Sequence, residues 1–395
     1  MSTAVVDDTH EARWRARLED SARAPYAAAV EVAFPDHAYS QRELMAVLQS
    51  RWAKRPEVVH RIARLHESVQ VGSRCIALPL DAYGTLSSFD EANDAFIRVG
   101  TEVGGRAVQR ASAGAGLSVR DIDAIFFTTV TGVAAPSIDA RLVNAIGLRR
   151  DIRRVPMFGL GCLGGAAGLA RTADYLRGHP DHVAVLLSVE LCSLTLQEDL
   201  SVANLIATGL FGDGAACAVL VGSERRKRMD ELLAARAPAN DAPPSTRRPS
   251  RVSGPRVLDA RSVLWPDTER VMGWDVGASG FKVVLSADVP KIVRTHLAPA
   301  VDAFLADHGL TRSDISRWVC HPGGPKVIDA METSLELPEG ALAETRKSLA
   351  SVGNLSSASV LHVLSQTMKQ ARSGELGLLM AMGPGFCGEL VLLSW

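Results

Sequence analysis

Three side chains in this sequence have the types and settings that acyl-transfer chemistry uses. Cys162 sits in Gly159-Leu160-Gly161-Cys162-Leu163-Gly164-Gly165. If a helix starts there, its free N–H groups and positive dipole end face the sulfur. Such a setting lowers a thiol pKa and favours the nucleophilic thiolate. His321 sits in Trp318-Val319-Cys320-His321-Pro322-Gly323-Gly324-Pro325. The rigid turn after it fixes the imidazole at the end of a strand, where an imidazole near a thiol can hold an ion pair at neutral pH. Asn354 sits in Ser351-Val352-Gly353-Asn354-Leu355-Ser356-Ser357. Its amide can donate to a developing oxyanion. Each also has a plainer reading: a small buried cysteine, a structural histidine, and a helix N-cap, which asparagine fills readily.

The elements around these residues alternate. Short apolar runs at 124–129, 183–189, 216–221, 318–320 and 390–393 read as buried strands. Helical patterns occupy 137–146, 165–177 and 289–307, so the fold class is α/β in layers. An internal repeat sharpens this. Gly116-Leu117-Ser118-Val119-Arg120-Asp121-Ile122-Asp123 matches Gly309-Leu310-Thr311-Arg312-Ser313-Asp314-Ile315-Ser316. At nearly the same offset, the turn holding Cys162 matches the turn holding Asn354, each followed by a run of tiny residues. A third pair joins Phe211-Gly212-Asp213-Gly214 to Gly383-Pro384-Gly385-Phe386. A duplicated unit follows, with its two symmetric turns converging on one pocket. The chain then divides into an N-terminal extension (1–25), a first half (26–233) carrying the nucleophile, a Pro- and Arg-rich segment (234–256) and a second half (257–395) carrying His321 and Asn354. The 234–256 segment reads as a solvated loop or as a basic recognition loop.

Composition narrows the function classes. The chain has 395 residues, with 43 basic against 44 acidic side chains, so neither a basic nucleic-acid surface nor an acidic tail is expected. Apolar residues make up 47% and charged residues 22%, which supports a large core and argues against disorder. There is no secretory signal and no apolar run long enough to span a bilayer, so a cytoplasmic protein is expected. The six cysteines form no CxxC pair, and no metal is expected.

The motifs together resemble the type III polyketide synthases, the chalcone-synthase-like branch of the thiolase fold. The resemblance runs from about Pro35 to Trp395. It rests on Thr131-Gly132, Gly161-Cys162, Phe211-Gly212-Asp213-Gly214-Ala215-Ala216, His321-Pro322-Gly323-Gly324-Pro325, Gly353-Asn354-Leu355-Ser356-Ser357-Ala358-Ser359 and Gly383-Pro384-Gly385. It implies a duplicated five-layered αβαβα fold and a homodimer, with Ala135-Pro136 reaching toward the dimer interface. Cys162 would take the acyl group of a coenzyme A thioester, while His321 and Asn354 would decarboxylate malonyl-CoA. Condensation and cyclisation would give a pyrone, resorcinol or other phenol. Coenzyme A thioesters would be substrates, with no resident cofactor.

The resemblance also implies a cavity lined by Val130, Thr131, Cys192, Thr195, Phe211, Phe281, Ser356, Gly383, Pro384 and Gly385. Phe211 would be one gatekeeper and Phe281 the other. Cys192 and Val130 stand where plant members carry threonine, and Ala381-Met382 where they carry Gly-Phe. The run from Val133 to Arg141 is similar to bacterial members that make alkylpyrones or alkylresorcinols from fatty acyl starters. For coenzyme A, the expected residues are Arg51, Lys54, Arg55, Gly323, Gly324 and Lys326. Arg51, Lys54 and Arg55, at i, i+3 and i+4, would share one helical face. Two other readings keep the same residues: a ketoacyl synthase of the third type from fatty acid synthesis, and a non-catalytic acyl-binding protein.

Overall fold

The computed structural model describes residues 23–235 and 254–395. Most of the N-terminal extension and of the Pro- and Arg-rich segment lie outside the described residues. Thirteen strands are described: β1 (Tyr26–Ala33), β2 (His37–Ser40), β3 (Ser73–Ile76), β4 (Ala124–Thr129), β5 (Arg153–Phe158), β6 (Val183–Leu191), β7 (Asp213–Val221), β8 (Arg256–Leu264), β9 (Met272–Gly277), β10 (Gly280–Leu285), β11 (Arg317–Cys320), β12 (Leu376–Gly383) and β13 (Cys387–Ser394). The helices are α1 (Gln41–Arg51), α2 (Pro56–Ser68), α3 (Phe89–Gly114), α4 (Ile138–Ala145), α5 (Gly164–Gly178), α6 (Val202–Leu210), α7 (Ser223–Ala235), α8 (Val289–Ala306), α9 (Pro325–Leu335), α10 (Ala343–Val352) and α11 (Ala358–Met368).

Nine strands hydrogen-bond in the order β11-β12-β13-β8-β1-β7-β6-β4-β5. The two halves of this sheet meet only where Tyr26 of β1 pairs with Arg256 of β8. Sequence alternation explains the layering. Along β6, Val183, Val185, Leu187, Val189 and Leu191 pack into a cluster with Phe96, Val99 and Val103 of α3. The intervening Ala184 and Leu186 face a second cluster with Leu169 and Ala173 of α5 and Val360 and Leu364 of α11. The second half repeats the pattern. Leu379 and Ala381 of β12 join that same central cluster, while Leu378, Met380 and Met382 turn to Val293, Leu297 and Val301 of α8. A strand buried on both faces needs no polar alternation, which is why β6 is apolar for nearly its whole length. The five-layered αβαβα architecture follows, with α5 and α11 as the shared central layer.

The duplication extends to local chemistry. Ser118 and Asp121 form a reciprocal capping box before β4, and Thr311 and Asp314 form the same box before β11. Gly116 (φ +70°) and Gly309 (φ +66°) open the two copies in the left-handed region. Sequence patterning did not reveal β1, the alanine-rich Tyr-Ala-Ala-Ala-Val-Glu-Val-Ala. It carries few of the branched residues that mark strands, and its pairing with β7 decides its state.

The two central helices approach closely at their first turns. A Cβ at Gly165 would lie 2.2 Å from the Ser357 carbonyl oxygen, a backbone atom with little freedom to move. Overpacking of this kind costs about 1–3 kcal/mol. Gly165→Ala should therefore lower the unfolding free energy by at least that order in urea titration. An unchanged midpoint would mean that the helix pair can part without cost.

Candidate active site

The two repeated turns are built alike and hold different side chains. Cys162 lies in a single 3-10 turn, Gly161–Leu163, that runs directly into α5. Gly161 adopts φ +51°, and a Cβ there would stand 2.6 Å from Pro384. In the second copy Gly353 (φ +72°) precedes Asn354, and Ser356 (φ +49°) leads into α11. The Asn354 side-chain oxygen accepts from the Ser356 backbone N–H at 2.8 Å and from Ser359 Oγ at 3.4 Å. Asn354 is thus a local cap through its oxygen, and its Nδ2 donates to no group among the described residues. The capping and donor readings of this residue are compatible: the first aims the second.

A cavity of about 40 Å³ brings the three predicted groups together, its wall including Cys162, His321, Asn354, Ser356, Gly323, Pro384 and Phe211. His321 follows β11 and is held by its backbone N–H to the Met380 carbonyl at 2.9 Å. Both ring nitrogens are buried without a partner among the described residues. Cys162 Sγ lies 3.8 Å from Ser356 Oγ.

Desolvation governs the electrostatics here. Burial pushes the Cys162 thiol up to about 12, against the smaller lowering effect of Ser356. Burial alone pulls His321 down to about 3. Burial thus works against charge on both groups in the free protein.

A second cavity, of about 460 Å³, shares Phe211, Trp274 and Val283 with the first as a common wall. Cys192 and Thr195 line it, Thr195 Oγ1 donating to the Cys192 carbonyl at 2.7 Å. Other predicted positions fall elsewhere. Val130 and Thr131 reach neither cavity; both turn to Glu190, from the Val130 N–H at 3.1 Å and Thr131 Oγ1 at 2.9 Å. Phe281 is buried against Phe89, with ring centroids 5.6 Å apart, and Val283 takes the cavity-facing place two residues on. Gly383 and Gly385 line neither space. Gly383 permits close approach to Leu160, whose carbonyl would lie 2.6 Å from a Cβ there, and Gly385 turns at φ +107°.

The basic cluster is also rearranged. Arg51 is the last residue of α1, Trp52 caps it, and Pro56 opens α2. Lys54 and Arg55 lie in the connection, so the three share no helical face; the proline starts a new helix there. Arg51 lines the larger cavity and pairs with Glu198. Lys54, Arg55 and Lys326 are exposed, and Gly324 (φ +141°) precedes α9. Among the described residues no helix is long and apolar enough to cross a membrane.

Glu190, at the end of β6, went unread in the sequence, although a lone acid closing an apolar strand was a usable signal. It is fully buried and accepts from Ser357 Oγ, which itself lies 2.6 Å from Ser188 Oγ. Burial raises Glu190 to about 7, above the ordinary 4.5, against the lowering effect of these donors. Over that interval the folded chain holds a proton that the unfolded chain has released. Its contribution to stability is full below about pH 4.5 and is lost as pH rises through about 7. The stability of the wild type relative to Glu190→Gln should thus fall between pH 5 and pH 8 in urea titrations. A difference independent of pH would show an ordinary carboxylate.

Comparison with known proteins agrees with this geometry. Residues 21–225 match the N-terminal domain of chalcone and stilbene synthases, and residues 257–394 match the C-terminal domain. The chain is 49% identical to a 1,3,6,8-tetrahydroxynaphthalene synthase of Streptomyces peucetius subsp. caesius, over 93% of this chain and 92% of that one. It is 38% identical to a putative chalcone synthase of Bacillus subtilis, over 85% and 89%. The crystal structure of 1,3,6,8-tetrahydroxynaphthalene synthase from Streptomyces coelicolor A3(2), a bacterial type III polyketide synthase, superposes with a TM-score of 0.81 at 31% identity, covering 94% of this chain and 99% of that one. With both domains matched, the fold shared and a cysteine, a histidine and an asparagine on one chamber wall, this chain belongs to the chalcone and stilbene synthase family of type III polyketide synthases, acyltransferases that condense coenzyme A thioesters with malonyl-CoA.

Proposed function

We propose that this enzyme builds a polyhydroxylated aromatic ring from malonyl-CoA units, with Cys162 as acyl carrier and His321 and Asn354 as the decarboxylating pair. The observation that carries the catalytic assignment is the convergence of these three side chains on one buried chamber. As the Cys162 sulfur bonds to the thioester carbonyl, its proton passes to the neutral His321 ring, which gives it to the departing coenzyme A sulfur. Malonyl-CoA then loses carbon dioxide, and the resulting enolate oxygen takes hydrogen bonds from Asn354 Nδ2 and a ring N–H of His321. In a buried chamber such donors act more strongly than in bulk water. The enolate carbon attacks the Cys162 thioester carbonyl and the Cys162 sulfur departs, leaving the elongated chain as a coenzyme A thioester. That chain is then transferred back to the sulfur, with release of coenzyme A, for the next round.

The relatives named tetrahydroxynaphthalene synthases favour malonyl-CoA as its own starter. All ring carbons of that product are accounted for by malonate-derived two-carbon units. A second reading, an alkylpyrone or alkylresorcinol synthase primed by a fatty acyl thioester, draws support from the apolar part of the larger cavity, where Leu44, Val47, Leu48 and Leu196 line the wall.

Mass spectrometry of products from malonyl-CoA alone, and with octanoyl-CoA added, separates the two. A naphthol from malonyl-CoA alone supports the first; product formed only with the acyl starter supports the second. In the same assay Asn354→Ala should still load Cys162 but lose decarboxylation about 100- to 1000-fold. Full decarboxylation would return Asn354 to a capping role.

We further propose a homodimer through the free edge at β5, where Val155 is 37% and Phe158 55% exposed. An apolar edge strand of this kind calls for a cover. Sedimentation should give twice the chain mass, and Phe158→Glu should shift it toward the monomer; a monomeric wild type would refute the assignment. The coenzyme A substrates favour a cytoplasmic site of action.

A further inference from the structure

Arg74, on β3, is an unusual wall for a largely apolar cavity. Only 5% of it is exposed, and it lines the 460 Å³ space. Of the five donors on its guanidinium, one is used: Nη1 donates to the Phe211 carbonyl at 2.6 Å. Nε is buried without a partner. No carboxylate among the described residues lies within ion-pair distance. Asp213 acts on Arg74 through charge at longer range and spends its own hydrogen-bonding oxygens on the Ala77 N–H at 2.7 Å, the Ser193 N–H at 2.8 Å and Ser193 Oγ. Burial lowers Arg74 to about 10, so it stays charged at neutral pH. A buried cation with spare donors is costly unless a ligand completes it.

The position of Arg74 limits what that ligand can be. Its carbonyl partner belongs to Phe211, one of three residues in the wall between the Cys162 chamber and the larger cavity. Its stem runs under Gly353, where a Cβ would stand 3.0 Å from Arg74 Cδ, one residue before Asn354. A chain growing from Cys162 past Phe211 enters the larger cavity alongside this guanidinium. A fatty acyl tail offers it no acceptor, whereas a poly-β-keto chain offers an oxygen at every second carbon.

We propose that Arg74 is a specificity-determining residue that binds keto oxygens of the growing chain in the larger cavity and so favours full extension of malonyl-derived over fatty acyl intermediates. This rests on the malonyl-primed reading above. No covalent step is involved; the contact is a charge-assisted hydrogen bond, shorter and stronger than a neutral one.

The test compares wild type with Arg74→Met and Arg74→Lys, supplied with malonyl-CoA alone or with octanoyl-CoA added. If wild type forms no aromatic product from malonyl-CoA alone, the malonyl-primed reading fails irrespective of Arg74. Where it does, Arg74→Met should lower the ratio of full-length aromatic product to truncated pyrones about tenfold, the loss expected for one charged hydrogen bond. It should also shift competition toward octanoyl-primed products, with Arg74→Lys between the two. A purely structural role would lower all products together, and an unchanged ratio in a variant that still loads Cys162 overturns the proposal. Should Arg74→Met fail to fold, inhibition of the wild type decides. A dioxohexanoate inhibiting about tenfold more tightly than hexanoate supports the assignment, and equal inhibition refutes it.

Discussion

Everything at the catalytic chamber depends on the close pairing of α5 and α11 at their first turns. Gly165 lies against the Ser357 carbonyl with no room for a methyl group. Ser357 in turn bonds Glu190 and Ser188 of β6. Small residues there let two helices from different halves share one layer, and the two strand-to-helix turns then face each other. Cys162 on one turn and Asn354 on the other reach the same cavity because their helices meet. A larger residue at either first turn would separate Cys162 from Asn354 without touching either.

The same packing buries the chamber, and burial shifts its titratable groups. Cys162, His321 and Glu190 are all shifted by burial toward their neutral forms. Burial works against charge on both Cys162 and His321, which share one cavity wall. Asn354 Nδ2 and both His321 ring nitrogens have no partner among the described residues, so each is left to meet a group that enters the cavity. Preorganised donors in a buried site need little rearrangement when charge develops during reaction.

Duplication also explains where the symmetry stops. Gly212 N–H bonds the Asn354 carbonyl at 3.0 Å, and Asn354 N–H bonds that of Leu210 at 2.8 Å, so a short parallel bridge ties Phe211, in the wall between the cavities, to the Asn354 turn. Arg74 fastens the same residue from the β3 side. The wall between the two cavities is thus held from both halves of the molecule, while the β9–β10 hairpin supplies Trp274 and Val283 to it.

The sequence by itself determined the layered α/β class, the repeat and the three residues on the chamber wall. Each leaves a local mark: apolar runs without alternation, matched capping boxes, and glycines where the backbone must turn left-handed. The two equivalent turns could be paired from sequence because duplication preserves order. Tertiary structure alone decided what depends on neighbours distant in the chain. Val130 and Thr131 face Glu190, and Phe281 yields its expected place to Val283, because strand register sets which side chains reach a cavity. Lys54 and Arg55 fell outside any shared face because Pro56 restarts the helix. The protonation states were beyond sequence as well, since desolvation belongs to the packed interior and to no segment of the chain.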